Sequence, residues 1–313
     1  MYDETTNSAN KQELQTVVRY WSDAQNCVIS QHLKTMFIGS ATAKNIFKKL
    51  TEAMDEMKLP LGKLLMLGSD GPNVNKKVHR LMNEEVKLIS DRELVDIGTC
   101  NIHIVHNAFL KGLNELGENA ADLITSVYHF FDGWPSRWDN FVIIQEKEGV
   151  PHNKMIKHCS SRWLTLELAC TRMIEQWQAI NIYFLMYIPQ SKSSLGNTNR
   201  HCKNVMTLLK KSTIKAELHF ALSSAHIFTS FTGVFQKEEP LVHVLYDELS
   251  TLIQTLNSWF CKKSFLEQNI INTNSVTCET NHLPLKQVVC CGAVMAEIKS
   301  LSDSEKYNFL KAA

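Results

Sequence analysis

Leu64-Leu65-Met66-Leu67-Gly68-Ser69-Asp70-Gly71-Pro72-Asn73 is the stretch on which the reading of this chain turns. An apolar run stops at Gly68, a carboxylate follows, and Gly71-Pro72 breaks the chain. Beyond the break Val74, Val78, Leu81, Met82, Val86 and Leu88 recur at helical spacing. The order is strand, turn, helix, with Pro72 at the helix start, where a missing N–H does no harm. A carboxylate at the carboxyl end of a buried strand is where open α/β sheets place their chemistry. The plainer role for Asp70 is to cap the helix or to shape the turn before it.

Towards the amino terminus, residues 12–21 are rich in β-branched and aromatic types and read as a strand. Residues 27–38 read as a second strand, with 7–11 and 22–26 as the turns. Asp3, in Tyr2-Asp3-Glu4-Thr5-Thr6-Asn7, is a second candidate strand-end acid. Gly39-Ser40 punctuates, with Ser40 as the expected N-cap of a helix carrying Ile46, Phe47, Leu50, Met54 and Met57. Downstream of Asp70, Leu94 to Ile97 reads as a short strand, and from Cys100 the pattern turns helical. Strand–strand–helix–strand–helix–strand–helix describes a mixed sheet with flanking helices, an α/β fold over residues 1–115.

Residues 116–313 read as a mainly α-helical region. Leu123 to Phe131, Trp163 to Tyr187, Val205 to Phe220 and Leu241 to Phe260 show 3.6-type spacing, and Ser191–Asn199 is the expected loop. The 313 residues suffice for one large domain or two ordinary ones. With 44% hydrophobic and 21% charged residues the composition is that of a globular protein. A net charge of +1 gives no global electrostatic case for nucleic acid, so such binding would need a local basic face. The amino terminus reads as lacking a signal peptide, and the 9 cysteines are scattered. Free thiols in a reducing compartment, nucleus or cytoplasm, are the expectation. No apolar run approaches the ~18 residues of a membrane span, so no membrane partner is expected.

These residues resemble the transposases of the hAT superfamily and the animal genes derived from them. Tyr2-Asp3-Glu4-Thr5-Thr6-Asn7 resembles the family's first-acid motif, and Gly68-Ser69-Asp70-Gly71-Pro72-Asn73-Val74 its second. Cys100-Asn101-Ile102-His103 is similar to its Cys-x-x-His step, and Ser161-Arg162-Trp163 to its Arg-Trp motif. Phe235-Gln236-Lys237-Glu238-Glu239-Pro240-Leu241 resembles part of the helical insertion of domesticated members. The likeness runs from residue 1 to about 265 in the family's order. It implies an RNase H-like core interrupted by helices, and a site in which two Asp and a later Glu hold two Mg²⁺ or Mn²⁺ ions for phosphodiester chemistry. Asp3 and Asp70 would be the ancestral catalytic and metal-binding acids.

The chain departs from the family where the third acid should stand. Ser302-Asp303-Ser304-Glu305-Lys306 is a superficial match, and Glu297 and Glu305 qualify by position only. The family's amino-terminal zinc finger and carboxy-terminal dimerisation segment are absent from this sequence, and its first strand reads as truncated. The expectation is therefore a transposase-derived nuclear protein, inactive as a transposase, that binds DNA or, through its helical half, protein. Two alternatives stand beside it: a metal-dependent transposase or nuclease using Asp3 and Asp70, and a helical scaffold that binds no nucleic acid. Cys100, His103 and His106 could contribute to a metal site, but a tetrahedral site wants four ligands, so Cys100 and His103 read as structural. Arg162 and Trp163 could stack on an unpaired base or simply cap a helix face. Lys203, Lys210, Lys211 and Lys215 could form a basic patch or a solvated face.

Overall fold

The computed structural model describes residues 1–159, 165–237, 239–267 and 276–313. The chain is mixed α/β and 62% helical, so helices rather than the sheet carry most of it. It divides into two compact units, Met1–Asn107 with Phe235–His243, and Ala108–Val234 with Val244–Ala313.

In the first unit β1 (Tyr2–Thr6), β2 (Gln12–Ser22) and β3 (Cys27–Phe37) form an antiparallel sheet in that order. Both long strands form where β-branched and aromatic residues concentrate. Asparagines build the turns between them. Asn7 Oδ1 accepts from the N–H groups of Ala9 and Lys11, and Asn10 and Asn26 take the left-handed backbone conformation this short polar side chain tolerates. The register aligns Tyr2 with Thr16, Leu14 with Met36, Asp3 with Gln15, and Gln15 with Thr35. Alternation along each strand then places Tyr2, Leu14, Thr16 and Met36 on a buried face and Asp3, Gln15 and Thr35 on an exposed one.

Two helices cover the buried face, α1 (Ala43–Glu56) and α2 (Asn73–Ser90). Leu14, Met36, Ile46, Leu50, Ala53, Val78, Met82 and Val86 form one apolar cluster. The N-cap of α1 is Thr42, whose Oγ1 accepts from the Asn45 N–H, and not Ser40. A second difference is larger. Leu64–Gly68 and Leu94–Ile97 were expected as strands, yet neither joins the sheet ladder, so the sheet is antiparallel and not mixed. Single bonds tie them instead: the Tyr2 N–H donates to the Gly68 carbonyl at 3.1 Å and the Val95 N–H to the Leu65 carbonyl at 2.8 Å.

The helix α3 (Asn101–Leu116) spans the point of division. The second unit is helical: α4 (Asn119–Phe131), α5 (Pro135–Lys147), α6 (Thr165–Glu175) and α7 (Trp177–Ile182) come first. A π-helical turn at Tyr183–Tyr187 leads into α8 (Ile188–Ser191) and α9 (Ser193–Thr198). Then follow α10 (Arg200–Leu209), α11 (Ile214–Phe235), α12 (Leu245–Asn257), α13 (Lys263–Leu266), α14 (Gly292–Ile298) and α15 (Asp303–Ala312). Its main core joins Leu123, Val127, Phe130, Phe131, Phe141, Ile180, Tyr183 and Phe184. The stretch read as a loop at Ser191–Asn199 contains α9, and Asn199 is the cap of α10, accepting from the Cys202 N–H at 2.9 Å. The stretch read as one helix at Val205–Phe220 is broken at Lys210–Thr213, where Thr213 Oγ1 donates to Glu217 Oε1 at 2.7 Å. Among the described residues no helix is long and apolar enough to cross a membrane. All nine cysteines are free thiols.

Candidate functional site

Tyr2 opens β1 with its side chain on the buried face, so its hydroxyl must find a partner inside. It donates to Asn75 Oδ1 at 3.0 Å. Asn75 is itself buried, in the first turn of α2, and its Nδ2 donates to Asp70 Oδ1 at 2.5 Å. Burial pushes the Tyr2 hydroxyl far above its ordinary range, a hydrogen bond with Ser69 opposes that, and the negative charges of Glu4 and Asp70 add to it. Tyr2 is therefore a neutral donor at any ordinary pH. The Asp70 turn is anchored on both sides: Gly68 accepts from the Tyr2 N–H, and Ser69 accepts from the Cys100 N–H at 3.2 Å. Folding thus brings Tyr2 at the start of β1, the turn from Gly68 to Asn75, and Cys100 to one place. Phe235–His243 falls within the same compact unit.

The acid on the covered side of β1 is Glu4. Its carboxyl is half-buried and is held above the usual carboxylate range, first by burial, then by the charge of Asp70, then by that of Asp3. Asp3 is the second residue of β1, not its end, and lies on the exposed face with Gln15. Glu4, and not the Asp3 of the motif, is the acid on the side of β1 that faces Asp70. Counting in twos from the buried Tyr2 is the signal that finds it. Asp70 is not the helix cap either; Pro72 holds that position, and Asp70 receives the Asn75 amide.

Cys100 and His103 are both half-buried at the start of α3, and the Cys100 backbone fastens the Asp70 turn. Glu297 is engaged by Lys215 Nζ at 2.7 Å, with His219 Nε2 at 3.9 Å. Glu305 closes a capping box with Ser302 and accepts from Ser212 Oγ at 2.5 Å. Lys215 is spent on Glu297, and Lys211 donates to Asn119 Oδ1 at 2.5 Å, so half of the expected basic run has local partners. Arg162 and Trp163 lie outside the described residues. Among the described residues no three His, Cys, Asp or Glu side chains are grouped so as to hold a metal ion. Glu4 and Asp70, the latter already engaged by an amide, are fewer donors than two hard cations take. No protein-family model matches the chain, and no curated protein matches it.

Proposed function

We propose that this protein derives from a hAT-type transposase, keeps a remnant of the RNase H-like scaffold, and works in the nucleus by binding DNA or protein, not by cutting DNA. The observation that carries the reading is the junction at Asp70. Three stretches far apart in sequence, each resembling a motif of that family, are fastened there by the Tyr2–Gly68 and Cys100–Ser69 backbone bonds. Loss of cutting is supported by the fates of the acids. Asp3 lies on the exposed face, Asp70 receives Asn75, and Glu297 and Glu305 have partners of their own.

The test has two arms. Incubation with duplex DNA and Mg²⁺ or Mn²⁺ should give no strand cleavage, and robust cleavage lost in Asp70→Ala would overturn the proposal. Binding to random duplex is then titrated with salt. If DNA is the partner, log Kobs falls with log[salt] with a slope of about −0.9 for each phosphate contacted. No measurable DNA binding would leave protein recognition through the helical half, to be checked by pull-down with the full chain.

A further inference from the structure

In the second unit α4 and α10 pack against each other, and two side-chain bonds fix their register. Asn204 Nδ2 donates to Ser126 Oγ at 2.8 Å, and Lys211 Nζ donates to Asn119 Oδ1 at 2.5 Å, so the helices run antiparallel. A step of three residues keeps to one face of a helix. Three residues beyond Ser126 stands His129, and three before Asn204 stands His201. Their ring centres are 5.4 Å apart, with the planes inclined by 36°. The Tyr128 ring meets His129 edge-on at 5.4 Å. Neither imidazole makes a hydrogen bond or an ion pair with any of the described residues.

The pair is open to solvent. His129 is exposed, and His201 is half-buried on the wall of an open groove of about 700 Å³ between the two helices. Arg200 and Lys203 stand beside His201, Asp122 lines the same groove, and Asp132 follows His129 at the end of α4. Two cations and two carboxylates nearly cancel, so an ion here is held by bonding to the rings and not by the field. Burial, then the charges of His129 and Arg200, hold His201 below its ordinary value. Its ring is neutral above about pH 7, and the neutral imidazole is the form that binds a metal. Cys202, next in sequence, is fully buried in the core and adds no donor at the surface.

The spacing suits one ion between the rings. A Zn–N bond of about 2.0–2.1 Å puts the ion about 3.2 Å from each ring centre, and a tetrahedral angle then sets the centres about 5.2 Å apart. We propose that His129 and His201 form a two-imidazole site for a divalent transition-metal ion of the kind that imidazole prefers, such as Zn²⁺. Water on the groove side fills the other positions. With two protein ligands the site is open and weaker than a closed set of four.

The full chain, labelled with ¹³C at histidine Cε1, is titrated with buffered free Zn²⁺ at about pH 7.5 and followed by NMR. His129→Gln and His201→Gln assign the two signals, and circular dichroism checks that both variants fold. In the unaltered chain the two signals should move together, with one midpoint below millimolar free Zn²⁺. In each variant the remaining imidazole should need at least about tenfold more Zn²⁺. Zinc taken up by thiols or by other histidines leaves this coupling untouched, because the free concentration is fixed by the buffer. The proposal fails if the two signals have different midpoints, if neither moves by millimolar free Zn²⁺, or if removing one ring leaves the midpoint of the other unchanged.

Discussion

In the first unit the fully buried side chains include Leu14, Ile46, Val78, Met82 and Val86; in the second they include Phe130, Phe131, Phe141, Tyr183 and Phe184. A sheet face against two helices is filled by aliphatic groups on period-two and period-3.6 stripes. The helical unit closes its centre with rings. Phe130 meets Phe184 at 4.9 Å and Phe131 at 5.1 Å, and Phe131 stacks on Trp138 at 4.5 Å. Polar groups enter the two cores differently as well. Asn75 serves the end of a strand in the first, whereas Gln145, Gln176 and Arg137 are buried among helices in the second. Arg137 lies over the Phe130 ring at 4.4 Å and donates to the Phe130 carbonyl, so the ring cluster and a buried cation support each other.

The sharpest way to break this comparison is to remove one large side chain from each core. Phe130→Ala should cost about 3–5 kcal/mol and Leu14→Ala about 2–5 kcal/mol, measured by urea unfolding. The aromatic cluster would lose its claim if Phe130→Ala proved the milder change. Next in size come the amides. Gln176→Leu leaves Gln145 Nε2 with only its 3.4 Å bond to the Asn153 carbonyl and the Pro151 carbonyl with only the Asn153 N–H, and should cost about 1 kcal/mol. A neutral result would mean that water replaces the Gln145–Gln176 pair without loss. Asn75→Leu leaves the Tyr2 hydroxyl buried without its acceptor and frees Asp70, at about 1–2 kcal/mol. A loss of that size in Tyr2→Phe as well, with no further loss in the double variant, would show that the two act as one pair.

How much of this was legible in the sequence follows from the same contrast. The strands at Gln12–Ser22 and Cys27–Phe37 and the stripe of α2 were readable, because local periodicity and turn chemistry decide them. The pairing of Leu64–Gly68 was not, since a run of apolar residues does not say whether its neighbours offer a ladder or a single bond. Asp70 was read as a strand-end acid, but no ladder strand ends there, and its partner Asn75 went unread because an amide in the first turn of a helix leaves no pattern. Glu4 was missed although it sits beside the chosen Asp3; a motif names residues, and only the strand's alternation says which one turns inward. The amide pair Gln145–Gln176 joins residues 31 positions apart and nothing local announces it. Asn199 was taken for loop because Ser, Asn and Gly are frequent in loops, although Asn is equally at home capping a helix.

Glu4 sets the smallest prediction and the most discriminating one. Its folded carboxyl sits above the ordinary value of 4.5, through burial and the charges of Asp70 and Asp3. The folded state therefore binds the proton more tightly than the unfolded chain does. Stability falls as pH rises from the unfolded value through the folded one, and the penalty is complete above it. Glu4→Gln removes the charge and keeps the shape. The variant should be more stable than the parent at neutral pH, by less than about 1 kcal/mol because the group is partly solvated. The difference should shrink to nothing at a pH well below the carboxylate range, where both states of the parent are protonated. Asp3→Asn, on the exposed face, should change the same pH profile less. If instead Asp3→Asn gave the larger gain and Glu4→Gln none, then Asp3 would be the acid turned towards Asp70, and the pairing read from the sequence would be restored.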